Sequence, residues 1–411
     1  MPVAATRPAI DAPVRARSAL GQWNSAVTSY YVLVGTTALL LVLGLVMVLS
    51  SSSVDSLADG ESPYTKFLDQ TKYALIGLPV LVVLARMPVS KLRALAWPGL
   101  IAAFALQALV VFTPLGRGSG GNRNWLHLAG ISVQPSEVIK LTLALWLGAV
   151  LAKKLPLLGQ AKHALIPALP VAAAAVGIVL LGHDLGTALV LILLVIGALW
   201  VAGVKFRIFA LPVAAAAAVA VPLALLNENR LGRIMSWLTG AGDEAGGLYQ
   251  PMHGRWGLAT GGWFGLGLGQ SREKWSYLPA AHNDFIFAII GEELGLIGTL
   301  LVLALFGLLS FGMIRVIRRH PDPFVRITTG AICCWIVGQG LVNIAVVIGL
   351  LPVIGVPLPL VSAGGSALIM TMAALGVVLA FARTEPGAAE ALKARPTVLR
   401  RSLAVLGRAR G

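Results

Sequence analysis

The chain has 411 residues, of which 57% are hydrophobic and 12% are charged, and its formal net charge is +15. Soluble globular proteins carry about 25% charged residues, so this composition excludes that class and indicates a membrane protein. The basic excess does not indicate a nucleic-acid partner, because Lys and Arg of membrane proteins collect in cytoplasmic loops beside anionic lipid.

Long apolar runs predict an all-α polytopic membrane protein with about ten transmembrane helices. Residues 31–50, 294–314 and 327–350 carry no charge, and each run is long enough to cross about 30 Å of hydrocarbon as a helix. Weaker spans, interrupted by Gly or Pro, are predicted near 72–86, 94–113, 135–152, 164–182, 185–203, 208–226 and 365–382.

The distribution of charge predicts the orientation of these helices. With ten spans and a cytoplasmic N-terminus, most Lys and Arg fall in the inner segments, so both termini are predicted to be cytoplasmic. The predicted divisions are a cytoplasmic tail at 1–29, a ten-helix domain at 30–383 and a basic, disordered tail at 384–411. A large outer loop at about 227–284 connects helices 7 and 8.

The first informative stretch is GRGSGGNRNWLHLAGISVQPSEVIK at 116–140. Its glycine run lacks the strand and helix that surround a phosphate-binding loop. Glu137 and Lys140 lie three residues apart on one face of a predicted membrane helix. The two charges either close on each other to limit the cost of burial, or line an outward-facing cavity with Arg123 and Trp125 at its mouth.

Three further polar positions precede the long outer loop. Asp184 lies in a short outer turn, where a helix cap and a substrate contact are both open. The segment NENRLGRIMSWL at 227–238 has the apolar repeat of a helix that lies in the membrane interface. Its Arg230 and Arg233 could bind either lipid phosphate or the pyrophosphate of a lipid-linked substrate.

The stretch QPMHGRWGLATGGWFGLGLGQSREKWSYLPAAHNDFIFAIIGEELG at 250–295 is the centre of the prediction. Five glycines between 261 and 269 exclude a stable helix there and permit close approach of the backbone. Arg255, Arg272 and Lys274 add positive charge, and four aromatic rings suit the interface or the face of a sugar. Asp284 stands where this loop enters a long helix, predicted to begin near Phe285 and to be free of charge. A carboxylate at that depth is costly, so a function is favoured over a helix N-cap.

The last outer segment is apolar but broken by Pro and Gly between 349 and 369. Irregular backbone at membrane depth is tolerated where protein buries it or where it lines a cavity, so Ser362 and Ser366 are predicted to face the same cavity. Gln339 and Asn343 are predicted to form hydrogen bonds between helices. Adjacent Cys333 and Cys334 lack the spacing of a zinc or redox pair.

Four of these stretches together resemble the SEDS family of cell-wall polymerases, the FtsW and RodA type. The matching pieces are NRNWL with QPSEVIK, HDLGTA, the block at 250–295, and NIAVVIGLLPVIGVPLPLVSAGGSALI, and their wording is closer to the division member of the family. The chain departs from the usual pattern at His183, where many members have Pro, and at Asn283, where many have Thr.

The resemblance implies a peptidoglycan glycosyltransferase that polymerises lipid II, the undecaprenyl-pyrophosphate-linked disaccharide-pentapeptide, at the outer face of the cytoplasmic (inner) membrane, at the division septum. The implied partners are a class B penicillin-binding protein of the FtsI type and other divisome proteins. Asp284, Glu137 and Lys140 are the implied catalytic residues. The implied substrate-binding residues are Arg123, Trp125, Asp184, Gln250, Arg255, Lys274, His282, Asn283, Asn343, Ser362 and Ser366.

This chemistry requires a base for the acceptor hydroxyl, cations for the leaving pyrophosphate and an apolar slot for the lipid tail. We expect Asp284 to be the base of an inverting reaction, with Arg123, Lys140, Lys274 and Arg255 as the cationic clamp. We expect Glu137, Lys140 and Asp284 to open onto one outward-facing cleft. No cofactor is firmly implied, although a divalent cation, Mg or Mn, could bind the pyrophosphate. The alternatives are a flippase for the same lipid, an elongation polymerase of the RodA type, and a scaffold that recruits the penicillin-binding protein.

Overall fold

In a computed structural model of the chain, the described residues are 27–58, 60–119, 122–128, 130–210, 214, 228–240, 248–275, 277–279 and 281–394. Three predicted segments lie largely outside these ranges. They are the N-terminal tail at 1–29, the seventh span at 208–226 and the end of the basic tail from 395 onward.

Helices dominate the described residues and account for nine of the ten predicted spans. Seven are long and apolar enough to cross a membrane: α1 (Thr28–Ala58), α2 (Thr65–Arg86), α5 (Pro135–Lys153), α6 with α7 (Ala161–Leu181), α11 (Ile286–Arg319), α12 (Pro323–Val347) and α13 (Ser366–Arg383). Two shorter apolar helices are α4 (Ala96–Phe112) and α8 (Leu185–Val201). The all-α polytopic membrane fold is therefore confirmed, while the count of ten and the orientation stay predictions.

The remaining described helices are short or lie outside the apolar spans. They are α3 (Val89–Ala94), α9 (Glu228–Thr239), α10 (Tyr249–Thr260) and α14 (Ala388–Ala394), and α6 and α7 have the separate bounds Ala161–Leu165 and Ala168–Leu181. Helix α9 confirms the predicted surface helix, and Met235 and Leu238 on it are exposed. The prediction of a disordered tail from 384 is wrong for α14, and the loop prediction is wrong for α10.

A three-stranded antiparallel sheet follows α4, which the sequence analysis did not predict. Its strands are β1 (Gly116–Ser119), β2 (Asn122–Leu128) and β3 (Ile131–Val133), with β2 in the middle. In β2, Asn124 and Leu126 are buried while His127 is exposed, the alternation that a strand imposes. The Ser132 backbone N–H donates to the Tyr73 hydroxyl on α2 over 3.1 Å, which holds the sheet against the bundle.

Helix α5 lies at the centre of the bundle, where it packs against α4, α8 and α12. Its side chains are buried around most of its circumference, including Trp146 and Leu147. The outer helices instead expose apolar side chains such as Leu75 and Val83 on α2, as expected for surfaces that face lipid.

Helix α11 begins at Ile286, close to the predicted start, but its first part is not free of charge. Glu292 and Glu293 lie within it and are fully buried. Directly after them the helix is broken at Gly295, whose φ of 68° and ψ of −164° are not helical.

Candidate active site

Asp284 lies in the turn that precedes α11, whose first helical residue is Ile286. Phe285 occupies the N-cap position and makes no side-chain cap hydrogen bond. The capping alternative for Asp284 is therefore not what the structure shows.

The backbone around Asp284 is held by donors from two other segments. Three successive carbonyl oxygens accept hydrogen bonds: His282 from the Ala363 N–H (3.0 Å), Asn283 from the Ser362 hydroxyl (2.6 Å), and Asp284 from the Asn343 amide (2.7 Å). A turn with every carbonyl fixed in this way holds its side chains in one arrangement before any substrate binds.

Asp284 is half-buried, and one of its carboxyl oxygens is enclosed without a hydrogen-bond partner among the described residues. Its Oδ1 atom, like the Oδ1 atoms of Asn283 and Asn343, has no hydrogen-bond partner among the described residues. Its Oδ2 atom faces the backbone of Gly355. Burial raises the pKa of Asp284 to about 6, and the positive charge of Arg233 acts in the opposite direction.

The segment after α12 that Pro and Gly interrupt lies beside Asp284 and is fixed by two side chains of that helix. The Asn343 amide donates to the Val356 carbonyl over 2.8 Å, and the Gln339 amide donates to the Pro357 carbonyl over 2.9 Å. These contacts confirm that both polar side chains form hydrogen bonds beyond their own helix. Because Asn343 and Ser362 are both bound to backbone groups, their geometry fits positioning of Asp284.

Glu137 and Lys140 form an ion pair of 2.8 Å inside the bundle. Their side chains are 4% and 2% exposed, and the Lys140 ammonium lies over the Trp335 ring and donates to Gln339 over 3.3 Å. The expectation that this pair opens onto the same outward cleft as Asp284 is wrong for this conformation, because the pair is enclosed. The pair is connected to the site through Gln339, which accepts from Lys140 and donates to the segment beside Asp284.

Asp184 and Ser366 hold the start of α5. The Asp184 carboxylate accepts from the Thr187 N–H at the start of α8 (2.9 Å) and from the Gln134 amide (2.7 Å). The Gln134 N–H donates to the Ser366 hydroxyl over 3.0 Å. Asp184 is thus a helix cap that also binds Gln134 at the start of α5. Of the two roles that the sequence left open for Asp184, the structure shows the cap.

Other predicted residues lie around this core at varying distance. The Gln250 amide donates to the Pro279 carbonyl over 3.4 Å, and exposed Arg255 lies beside Gly349. Trp125 is half-buried in β2, while the side chains of Arg123 and Arg230 fall outside the described part of the structure.

Lys274 is placed differently from the prediction. Its side chain is 4% exposed and its ammonium lies 3.2 Å from the Glu293 carboxylate. An ammonium enclosed by its own protein partners is not available to a leaving pyrophosphate in this conformation, so the inclusion of Lys274 in the clamp is not supported.

Two contacts near Asp284 were missed from the sequence. Asp55, in a segment that contains no predicted site residue, lies 3.1 Å from the His282 ring and 3.6 Å from the Lys66 ammonium. The Trp237 ring N–H of α9 donates to the Gly349 carbonyl over 3.0 Å. Arg233, for which the sequence already left open a role in binding pyrophosphate, lies four residues before Trp237 on the same face of α9.

An apolar groove of about 420 Å³ lies between α10, α11 and α12. Its lining includes Leu258, Phe287, Leu300 and Ile344. It begins three residues after Asp284 and continues along the membrane span, so an apolar chain can lie close to the polar site.

Comparisons with known proteins agree with this arrangement. The family described as cell cycle protein (FtsW, RodA, SpoVE) matches residues 31–386. The chain is 40% identical over 381 residues to the probable peptidoglycan glycosyltransferase FtsW of Mycobacterium tuberculosis, which covers 92% of this chain and 73% of that relative. It is 35% identical to the stage V sporulation protein E of Bacillus subtilis, over 85% of this chain and 96% of the relative.

Solved structures give the same result. A chain from a study titled "Structural coordination of polymerization and crosslinking by a peptidoglycan synthase complex" superposes with a TM-score of 0.70 at 29% identity, covering 86% of this chain and 97% of that one. The rod shape determining protein RodA of Thermus thermophilus superposes with a TM-score of 0.62 at 29% identity, covering 86% and 96%. On sequence and on structure, this chain belongs to the FtsW, RodA and SpoVE family.

Proposed function

We propose that the chain is a peptidoglycan glycosyltransferase that polymerises lipid II, with Asp284 as the general base. The observation that carries this proposal is the state of Asp284, a half-buried residue with a fixed backbone and an enclosed carboxyl oxygen that no described residue binds. The names of the mycobacterial relatives supply the reaction class.

The base removes the proton from the acceptor sugar's 4-hydroxyl as that oxygen attacks the anomeric carbon of the donor. The bond from the anomeric carbon to the pyrophosphate oxygen breaks, and the pyrophosphate leaves with the electron pair. The proton stays on Asp284 until solvent takes it. One displacement inverts the anomeric centre, so one carboxylate suffices and no covalent sugar intermediate forms.

Cations at the mouth of the site stabilise the leaving pyrophosphate. Arg233 lies close enough to Asp284 for its charge to act on that carboxyl, and Arg255 lies beside the Gly349 turn that anchors α9. We assign these two arginines to the clamp in place of Lys274. Glu137 and Lys140 act indirectly, by holding Gln339 and the segment that faces Asp284.

A divalent cation on the pyrophosphate stays a proposal. The unpartnered oxygens of Asn283, Asp284 and Asn343 are the oxygen donors that Mg or Mn prefers. Within the described ranges no group of three His, Cys, Asp or Glu side chains is arranged to hold a metal ion. The substrate's own phosphates would therefore have to supply part of the ligand set. A bound cation there would neutralise charge on the leaving group.

The cell-wall setting follows from the same relatives. We propose that the chain lies in the cytoplasmic membrane at the septum, because the first relatives carry the name FtsW. We propose a class B penicillin-binding protein as partner, in line with the synthase complex among the similar structures. The groove between α10, α11 and α12 offers the apolar surface that the lipid tail or a partner's transmembrane helix requires.

Reconstitution tests the proposal. The purified chain with its penicillin-binding partner is incubated in liposomes with lipid II, and glycan strands are separated by gel electrophoresis. We expect Asp284→Asn to reduce polymerisation at least about 1,000-fold while lipid II still binds. Asp69→Asn is the matched control, since Asp69 is an exposed carboxylate paired with Lys72, and it should polymerise normally.

Three outcomes would contradict the assignment. Normal polymerisation by Asp284→Asn would remove the base from the mechanism. Transfer of labelled lipid II across the bilayer, without polymer from the unsubstituted complex, would support the flippase. Polymer whose yield depends only on assembly of the complex, and not on Asp284, would support the scaffold.

A further inference from the structure

The first nine helical residues of α11, 286–294, form a unit that we call the outer arm. The arm starts two residues after Asp284 and ends at Gly295, where the backbone leaves the helical conformation. A φ of 68° is accessible to Gly and strained for other residues. Because the helix is interrupted there, the inner part of α11 does not by itself fix the rotation of the arm.

The glycine-rich loop after α10 holds the inner end of the arm through the backbone. The Leu266 N–H donates to the Glu292 carbonyl (2.9 Å) and the Gly267 N–H donates to the Glu293 carbonyl (3.0 Å). In the other direction, the Leu296 N–H donates to the Gly262 carbonyl over 2.9 Å. The loop therefore replaces the helical hydrogen bonds that the break removes.

Side chains complete this attachment. The Glu293 carboxylate accepts from the Ser50 hydroxyl of α1 (2.6 Å), from the Ser271 N–H (3.3 Å) and from the Lys274 ammonium (3.2 Å). Lys274 also donates to the Gly269 carbonyl over 2.7 Å. This one ammonium thus connects the glycine-rich loop to the arm and, through Ser50, both of them to α1.

The charges around the pair explain why Lys274 is needed. Glu292 beside it accepts from the Ser271 hydroxyl and from the Arg272 and Glu273 N–H groups. Glu273 lies 2.6 Å from His253, and burial raises the pKa of Glu273. Three carboxyl groups thus lie close together, and loss of the Lys274 charge would leave Glu293 buried without a cation, which is strongly unfavourable.

We propose that the Lys274–Glu293 ion pair is a positioning element that sets the orientation of Asp284 through the outer arm. The inference rests on the proposed function. Glu293 is nine residues from Asp284, about 14 Å along a helix, so the pair acts through the arm and not by contact with substrate. The opposite end of the arm is held by Asn343 and Ser362, and the pair fixes the end that they do not reach.

The test compares Lys274→Met, Glu293→Gln and the double variant in the reconstituted polymerase. We expect Lys274→Met to lower kcat about 10- to 100-fold, because small misplacements of a base have effects of that size, while KM for lipid II changes less than twofold. The double variant, which removes both charges, should recover at least about tenfold of that loss. Lys72→Met is the matched control, because Lys72 forms an exposed ion pair with Asp69.

The pH dependence of kcat separates positioning from a loss of folded protein. A loosened arm admits water to Asp284, so the acidic limb should move to lower pH in Lys274→Met and return in the double variant. Arg233, the charged group that acts on Asp284, is unchanged in these variants. If Lys274→Met does not accumulate, Glu293→Gln carries the same test, since it keeps the shape of the side chain.

If the single variants keep the wild-type kcat and an acidic limb at the wild-type pH, the inference is overturned while the proposed function stands. A loss of activity that only follows the amount of folded protein would overturn it in the same way. Failure of the unsubstituted complex to make polymer would instead overturn the proposed function.

Discussion

Asp284 joins a rigidly held backbone to a carboxyl oxygen that no described residue binds. Fixing the turn costs conformational entropy at folding, so less has to be lost when the acceptor sugar binds. The sequence predicted that this residue, Glu137 and Lys140 matter, because ionisable side chains at membrane depth are costly. It left open whether Lys140 and Glu137 close on each other or face a cavity, since spacing along a helix is the same for a closed pair and an open one.

The raised pKa of Asp284 predicts the pH dependence of the reaction. The base acts in its ionised form, and burial raises its pKa to about 6, so kcat should be constant above that pH and fall about tenfold for each pH unit below it. The measurement is kcat for lipid II polymerisation between pH 5 and 8.5. An acidic limb near pH 4 would mean that the carboxyl is hydrated in the working enzyme.

At the scale of elements, the predicted interfacial helix α9 brings an arginine to the site. Trp237 fastens the helix to the turn after α12, and Arg233 on the same face acts on Asp284. We expect Arg233→Gln to reduce kcat/KM about 10- to 100-fold, because a cation that stabilises the leaving pyrophosphate is lost. Arg207→Gln is the control, as Arg207 is an exposed arginine in a predicted inner loop. Equal activity of the two variants would remove Arg233 from the clamp.

The close packing of the glycine-rich loop against the outer arm predicts different costs for two glycine substitutions. A Cβ at Gly265 would lie 2.1 Å from the Glu293 carbonyl oxygen, whereas a Cβ at Gly262 would meet nothing within 4 Å, and both residues have a positive φ. Gly262→Ala should therefore cost about 1 kcal/mol from backbone strain, and Gly265→Ala several kcal/mol more in thermal unfolding. Equal melting temperatures would show that the loop is not pressed against the outer arm.

Several elements were predictable and others were not, for identifiable reasons. The amphipathic repeat of α9 was readable because its polar and apolar faces differ. Helix α10 was missed because its Gly and Pro residues argue against a helix, and tertiary packing against α11 overrides that preference. The alternation of polar and apolar residues in β2 is present in NRNWLHL, but the glycines on either side of it are typical of a loop.

At the scale of the whole molecule, the apolar runs located nine spans, and the seventh predicted span lies largely outside the described residues. The contacts agree with the predicted sides. Arg93 pairs with Asp322 and Arg319 pairs with Glu385, all in or beside predicted inner segments, while Asp55 meets His282 at the predicted outer side. The sequence could not show which helix is central, because lipid is as apolar as a protein core and leaves no one-sided pattern.

The central position of α5 has a consequence for biosynthesis. The chain emerges from the ribosome with α5 well before α12, so Glu137 and Lys140 enter the bilayer when Gln339 and Trp335 have not yet been synthesised. Because their partnership lies within one helix, the two charges can neutralise each other in the translocon without help from later segments. The ion pair that is enclosed in the mature bundle thus allows this segment to insert before the helices that later surround it have been synthesised.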